Sequence, residues 1–336
     1  MKDLENRKKD HIEMALHSQT PVPEMDPRFH YEPLLSAHPG ENELDWPVQI
    51  LGKTLRIPLW VSSMTGGTEL AGTINRNLAR ACREFGMGMG LGSCRSLLES
   101  DAHLPDFDVR DVIGEDAPLW ANLGIAQVEQ LLASGRAGRA HDLVRKLRAD
   151  GLIIHVNPMQ EFFQDEGDRL THPPLDTIRR FLDLAPYPLM VKEVGQGMGP
   201  ESLRALLNLP LQAIEFGAFG GTNFARLELM RKQAEQQSVL TPLTRVGEDA
   251  FGMLATLRAL VEEREPQCRE IIISGGIRNY LDGYYGILRS PLPALYGMAS
   301  AFLKHARGDY DRLRSFVVQQ RQGLAMARAY LQIRPE

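Results

Sequence analysis

The chain has 336 residues, 43% of them hydrophobic and 24% charged, with a formal net charge of -5. That composition fits a globular protein with a large core. The negative balance argues against a nucleic-acid partner held by bulk charge and leaves room for a local basic cluster that takes a small anion. Cys82, Cys94 and Cys268 are odd in number and widely spaced, which excludes a disulfide framework and a Cys-x-x-Cys metal site. Cys82 reads as a small apolar helix residue, and nothing near Cys94 marks it as a nucleophile. No apolar run reaches the ~18–20 residues of a membrane span. The charged N-terminus lacks the apolar segment of a signal peptide, so no membrane is expected and a reducing cytoplasm is.

The chain opens on a basic run, Arg7-Lys8-Lys9-Asp10-His11, ahead of a short helical pattern over 12–16. An extension rich in Pro, His and charge follows, to about residue 56. Short apolar runs then recur at 57–63, 87–91, 119–123, 152–156, 189–194, 213–216, 271–274 and 294–298, and read as strands. Amphipathic helical patterns lie between them, at 74–85, 128–132, 140–149, 175–184, 201–207, 250–263 and 280–288. Strand–helix alternation implies parallel strands with right-handed crossovers. Eight such units predict an α/β fold, a closed (β/α)8 TIM barrel, with an N-terminal extension and a C-terminal helix over about 310–331. No linker-like tract or internal repeat breaks the sequence, so residues 1–336 read as a single domain. A doubly wound dinucleotide fold would need Gly-x-Gly-x-x-Gly; here Gly86, Gly88, Gly90 and Gly92 alternate inside a strand, where they allow close packing.

Ligands bind at the C-terminal ends of parallel strands. Here those ends read Ser63-Met64-Thr65-Gly66-Gly67, Gly92-Ser93-Cys94-Arg95, Asn122-Leu123-Gly124, Lys192-Glu193-Val194-Gly195, Gly220-Gly221-Thr222, Ser274-Gly275-Gly276-Ile277-Arg278 and Gly297-Met298-Ala299-Ser300. Glycine-rich turns present backbone N–H groups to an anion, and barrels place that nest after strands seven and eight. A phosphate site at Gly275, Gly276, Arg278, Ala299 and Ser300 is expected; taken alone, each turn is also just a turn.

The fourth strand delivers His155, Asn157, Gln160 and Glu161 within seven residues, a polar site at a strand end or simply a polar loop. Lys192 follows an apolar run and should point into the barrel mouth. It could be a Schiff-base nucleophile, a phosphate contact, a cation beside an electron-rich cofactor, or the partner of Glu193 or Glu161. Asn122 and Thr222 suit a heterocycle's carbonyls and ring nitrogens. The basic N-terminus could fold over the mouth and, with Arg95 and His155, supply the charge to hold a diphosphate, while Glu161 held Mg²⁺ against it.

Together these residues resemble the type 2 isopentenyl diphosphate isomerases, FMN-dependent (β/α)8 enzymes. The resemblance rests on eight motifs in order: Arg7-Lys8-x-x-His11, Met64-Thr65-Gly66-Gly67, Gly92-Ser93-x-Arg95, Asn122-x-Gly124, His155-x-Asn157-x-x-Gln160-Glu161, Lys192-Glu193-Val194-Gly195, Gly220-Gly221-Thr222 and Ser274-Gly275-Gly276-x-Arg278. It implies that Met64, Thr65, Gly66, Ser93, Asn122, Lys192 and Thr222 contact the flavin and its ribityl chain, and that Gly275, Gly276, Arg278, Ala299 and Ser300 hold the FMN phosphate. Arg7, Lys8, His11, Arg95, His155, Asn157 and Gln160 would face the substrate, with Glu161 on Mg²⁺ and Gln160, His155 and Lys192 as the candidate catalytic side chains. The implied reaction interconverts isopentenyl and dimethylallyl diphosphate on reduced FMN, supplied by NADPH or NADH, in a homotetramer or octamer. The sixth turn departs from the family's Ser-Gly-x-Gly-Gly-Thr, reading Gly217-Ala218-Phe219-Gly220-Gly221-Thr222, which loses a hydroxyl near the flavin. Residues 280–293 are richer in aromatics and proline than a plain crossover helix.

Three other readings compete. An FMN-dependent 2-hydroxy-acid oxidase needs a His base with an Arg beside it near strand six or seven, and neither turn has one. A non-catalytic flavin or phosphate binder would not need His155, Gln160 and Glu161. A Lys192 Schiff-base aldolase leaves the other motifs unexplained.

Overall fold

A computed structural model describes residues 2–335, the side chains of residues 2–5 and 236 excepted. Eight parallel strands close into a barrel: β4 (Leu59–Val61), β5 (Gly88–Gly90), β6 (Leu119–Gly124), β7 (Gly151–Val156), β8 (Leu189–Glu193), β9 (Ala213–Glu215), β10 (Ile271–Ser274) and β11 (Ala294–Met298). β11 pairs back onto β4, with Gly297 opposite Trp60. Each strand falls within a residue or two of its expected place, because a strand covered on both faces must be a continuous apolar run.

Large side chains fill the barrel. Trp60, Trp120, Ile153, Met190, Ala213, Ile272 and Leu295 form one buried cluster. The alternating glycines make room for it. A Cβ on Gly88 would lie 2.7 Å from the Trp60 ring, and one on Gly151 2.6 Å from the Trp120 ring. The barrel's N-terminal end is plugged by a hairpin that the sequence reading missed, β2 (Val48–Ile50) with β3 (Lys53–Leu55). Its turn residues, Leu51 and Gly52, both have positive φ, as a two-residue hairpin turn requires. Ile50, Leu51 and Leu55 join the interior cluster.

The first long outer helix, Glu69–Phe85, shows why the crossovers form. Thr68 caps it by accepting from the Ala71 N–H, Gly86 ends it at φ 64°, and Ile74, Leu78, Cys82 and Phe85 face the barrel at helical spacing. Cys82 is a buried apolar residue here, its thiol pushed well above the ordinary range by burial.

The extension and the C-terminal helix (Tyr310–Tyr330) meet. β1 (Phe29–Tyr31) pairs antiparallel with β12 (Leu331–Ile333). The aromatics of the Tyr280–Arg289 helix have their explanation here. Tyr284 stacks on Phe29 and donates to the Leu331 carbonyl, Tyr285 sits edge-on to Phe29, and Tyr280 packs under Gly323. Arg28 bridges Asp26 and Asp282, and Asp282 in turn accepts from the Arg278 N–H.

One expectation is corrected. The basic run is itself helical, within Lys2–Met14, rather than a lead-in to a helix over 12–16. Arg7, Lys8 and His11 are exposed, as are Ile12, Met14 and Leu16. These side chains are not buried against the barrel: the segment is short and strongly polar, so its few apolar side chains offer little burial. Among the described residues no helix is long and apolar enough to cross a membrane.

Candidate active site

The strand ends enclose a cavity of about 380 Å³, within the range of small-molecule sites. A second space of about 100 Å³ adjoins it, and the two share Ser63, Met64, Lys192, Val194 and Phe224, so they form one cleft.

One end of the cleft brings together the glycine turns at which a phosphate site is expected. Gly275, Gly276, Arg278, Gly297, Ala299 and Ser300 line it, with Thr222. Gly275 and Gly276 both take positive φ, and a Cβ on Gly275 would lie 2.1 Å from the Ala218 carbonyl oxygen, so the two turns touch backbone to backbone. Lys304 adds a second cation that sequence reasoning missed. In the last turn of a helix, a lysine reads as a complement to the helix dipole. In the altered sixth turn Gly217 has φ 54°, Ala218 is buried, and Phe219 lines a separate cavity and bridges to Asp249. The Ser62 and Ser63 hydroxyls line the main cavity, buried and without a partner.

The other end holds Ser93, Asn122, His155, Gln160 and Lys192. Asn122 donates to the Leu91 carbonyl at 3.0 Å, which turns its carbonyl oxygen to His155 Nδ1 at 2.8 Å. His155 Nδ1 therefore carries the proton and donates, leaving a lone pair on Nε2. Burial, with the Lys192 ammonium nearby, lowers the imidazole from 6.5 to about 3. This corrects a second expectation: His155 is neutral here and adds no positive charge. Lys192 is buried and donates to the Glu193 carbonyl at 2.6 Å, so its sequence neighbour holds it through the backbone. The Glu193 carboxylate accepts instead from the N–H groups of Gly195, Gln196 and Gly197 and fixes that turn.

The helix Pro158–Phe163 orders the remaining residues. Asn157 donates to Gln160 Oε1 at 3.2 Å and Glu161 Oε1 at 2.9 Å. Glu161 Oε2 accepts from the Asp168 N–H. Asp168 also pairs with Arg95 at 3.0 Å, so Arg95 stands near this group already neutralised. Glu228, missed in the sequence, is buried behind Gln160; it accepts from Gln164 and pairs with Arg231 at 2.6 Å. Phe224, also missed, lies on the same short helix, Phe224–Leu229, and gives the cleft an aromatic wall.

The sequence-predicted site therefore separates into groups. Met64, Ser93, Asn122, His155, Gln160, Lys192, Thr222 and the phosphate turns converge on the cleft. Asn157, Glu161 and Arg95 stand just outside it. Thr65 faces a small void against Ile74 and Phe302, and Gly66 packs on Phe107. Arg7, Lys8 and His11 do not line it. No group of three or more metal-ligating side chains occurs among the described residues.

A scan of protein-family profiles finds no match. Curated sequences do match. The chain is 34% identical over 322 residues to the isopentenyl-diphosphate delta-isomerase of a Synechococcus species, covering 94% of this chain and 89% of that one. It is 37% identical over 294 residues to that of Pseudescherichia vulneris, covering 84% and 81%. Among solved structures, a flavocytochrome b2 variant with benzoylformate aligns at TM-score 0.61 and 14% identity, covering 90% and 75%. A mandelate oxidase variant with an FMN adduct aligns at TM-score 0.55 and 13% identity, covering 92% and 88%. Identities that low show a shared barrel alone, whereas the sequence relatives show descent: the chain belongs to the isopentenyl-diphosphate delta-isomerase family, and its closed parallel barrel matches the type 2 form.

Proposed function

We propose that the chain interconverts isopentenyl and dimethylallyl diphosphate by a 1,3-proton shift on reduced FMN, with NADPH as reductant and Mg²⁺ on the diphosphate. The observation that carries the proposal is the single cleft that runs from a glycine-lined anion nest to a buried lysine, a neutral histidine and an amide. Its residues suit FMN: the nest and Arg278 would take the phosphate, and the unpartnered Ser62 and Ser63 hydroxyls would meet the polar atoms above. Reduced FMN would supply the acid–base group and an electron-rich face for the cationic centre that forms when the alkene is protonated.

The chain's residues then position and exclude. The neutral imidazole of His155, locked by Asn122, offers an acceptor without competing for the proton. Gln160 and Phe224 would shape the alkene end, and Lys192 would contact the flavin. Mg²⁺ would bind at Glu161, where the Asn157 side-chain oxygen Oδ1 is buried and left without a partner; the diphosphate would complete its shell. Arg95 would contact that diphosphate by exchanging Asp168 for it. Thr65 and Gly66 would act through the backbone of the first turn. Arg7, Lys8 and His11 would reach a cleft only after the N-terminal helix moves or in a homotetramer or octamer. The whole chain would act as one unit, in a reducing cytoplasm that suits three free thiols.

Anaerobic turnover of isopentenyl diphosphate with FMN and Mg²⁺ tests this. Dimethylallyl diphosphate should form only after the flavin is reduced, without stoichiometric NADPH consumption. Product without reductant, or none despite a bound and reducible flavin, overturns the proposal.

A further inference from the structure

Glu215 has no part in the chemistry above. It ends β9, is completely buried, and neither of its carboxylate oxygens has a hydrogen-bond partner. Ala213, two residues earlier, packs inside the barrel. Side chains alternate along a strand, so Glu215 faces the same interior. Gly217, two residues later, lines the main cavity. Glu215 therefore lies directly beneath the cleft floor.

Its register partner on β8 is Lys192. Met190 packs in the interior cluster, so Lys192 also points inward. The ammonium lies 2.6 Å from the Glu193 carbonyl oxygen, and that same oxygen lies 1.9 Å from where a Gly217 Cβ would be. The ammonium therefore lies on the Gly217 side of the Glu215–Gly217 column, facing the carboxylate from beyond direct ion-pair contact. A lone buried carboxylate and a lone buried ammonium are each costly, and a low-dielectric interior strengthens the attraction between them.

The other groups around the pair are accounted for. His155, across from Lys192 on β7, is neutral. The Glu193 carboxylate is taken by three backbone N–H groups and feels the Lys192 charge only through space, with no direct contact between them. On the far side β10 places Ile272 opposite Glu215. The Trp60 and Trp120 N–H groups and the Ser62 hydroxyl, all unpartnered, are neutral.

We infer that Glu215 is the counter-charge that keeps Lys192 an ammonium at the floor of the cleft. It is a positioning residue, acting on ligands through Lys192. The inference stands without the flavin; its effect on the flavin rests on the function proposed above.

The direct test is the titration of the Lys192 amine in the full flavin-free chain, followed by NMR after ¹³C reductive methylation and assigned by its loss in Lys192→Met. In Glu215→Gln the amine should titrate lower by about one pH unit or more, and Glu215→Asp should restore most of that. An unchanged titration in folded Glu215→Gln overturns the inference. Lys192→Met supplies a second measurement should Glu215→Gln not fold. Glu215 must then take up a proton, so this variant should gain thermal stability relative to wild type as pH falls from about 8 to 5; parallel melting curves overturn the inference.

On the FMN-loaded chain the sign of the potential change discriminates. Removing a carboxylate that acts directly on the flavin raises the midpoint potential. Removing one that sustains an ammonium lowers it at alkaline pH. A rise or no change in Glu215→Gln overturns the link to the flavin, whereas failure of wild type to bind FMN sinks the proposed function and leaves the amine titration to decide.

Discussion

Gly275→Ala isolates the contact on which the anion nest depends. Gly275 has φ +87°, and an alanine Cβ there would lie 2.1 Å from the Ala218 oxygen and 2.3 Å from its nitrogen. Ordinary contacts begin near 3.4 Å, so backbone must move by more than an ångström. Positive φ costs about 1–2 kcal/mol for a side chain. Displacing Ala218 also breaks its N–H bond to the Ser274 carbonyl, a further ~1 kcal/mol, on top of the overlap itself. The total comes to about 3–5 kcal/mol. At ~2.1 cal/mol/K per residue, 336 residues convert that to a melting temperature roughly 4–7 °C lower. Gly135→Ala is the control: φ is +64° with nothing within 4 Å, so strain acts alone and melting should fall by roughly 1–3 °C. Scanning calorimetry and a fluorescence titration with FMN read both variants. Gly275→Ala should also weaken FMN binding by about tenfold or more, since 1.4 kcal/mol is tenfold, and Gly135→Ala should not. Equal melting temperatures with flavin affinity kept would refute the close-approach argument.

Other outcomes follow from the same geometry. Arg278→Ala should weaken FMN by about 10–100-fold, the worth of a charge-assisted phosphate contact, with little change in melting; FMN titration against calorimetry checks it. For His155 the folded value of about 3 lies below its ordinary 6.5, so the unfolded chain binds the extra proton between them and stability falls as pH drops through that window. His155→Gln should flatten that acid limb in denaturation midpoints measured across it. Arg28→Ala leaves Asp26 and Asp282 facing each other without their cation and should cost about 2–3 kcal/mol. Limited proteolysis should then cut first within the extension, where unchanged protection would count against a structural role for the bridge. Glu161→Gln should raise the Mg²⁺ concentration needed for half-maximal activity by about tenfold or more while FMN affinity holds, since one carboxylate carries the protein's share of the site.

The eight strands were legible because burial on two faces forces uninterrupted apolar runs such as Ile271-Ile272-Ile273. The glycine turns that line the cleft were legible because Gly275 and Gly276 sit immediately after such a run. What the sequence hid depends on distance. The plug hairpin is two three-residue strands whose turn, Leu51-Gly52, lacks the common Asn-Gly signature. Phe224 reaches the cleft, and Glu228 backs Gln160, through a six-residue helix inside a long connection, where neither period nor spacing marks them. The neutrality of His155 is set by its burial and by Lys192 on the next strand, and its tautomer by Asn122, 33 residues away. The basic run suggested a lid, but charge pattern alone does not say what a helix packs against.

The pairing of Phe29 with Ile333 also dictates an order of events during synthesis. At ~5–20 residues per second, Phe29 emerges on the order of 15–60 s before its partner strand exists. The barrel seam is nearly as late, since Leu59 waits for Tyr296. A nascent chain therefore carries an open strand edge and an unattached N-terminal segment for almost its whole time on the ribosome. Closure of the seam and docking of the extension become late, concerted events, and the half-made barrel is the stage most exposed to chaperones and to aggregation. Joining the two ends with a short loop and opening the chain elsewhere would bring Phe29 and Ile333 together early and separate that vulnerability from the stability of the finished fold.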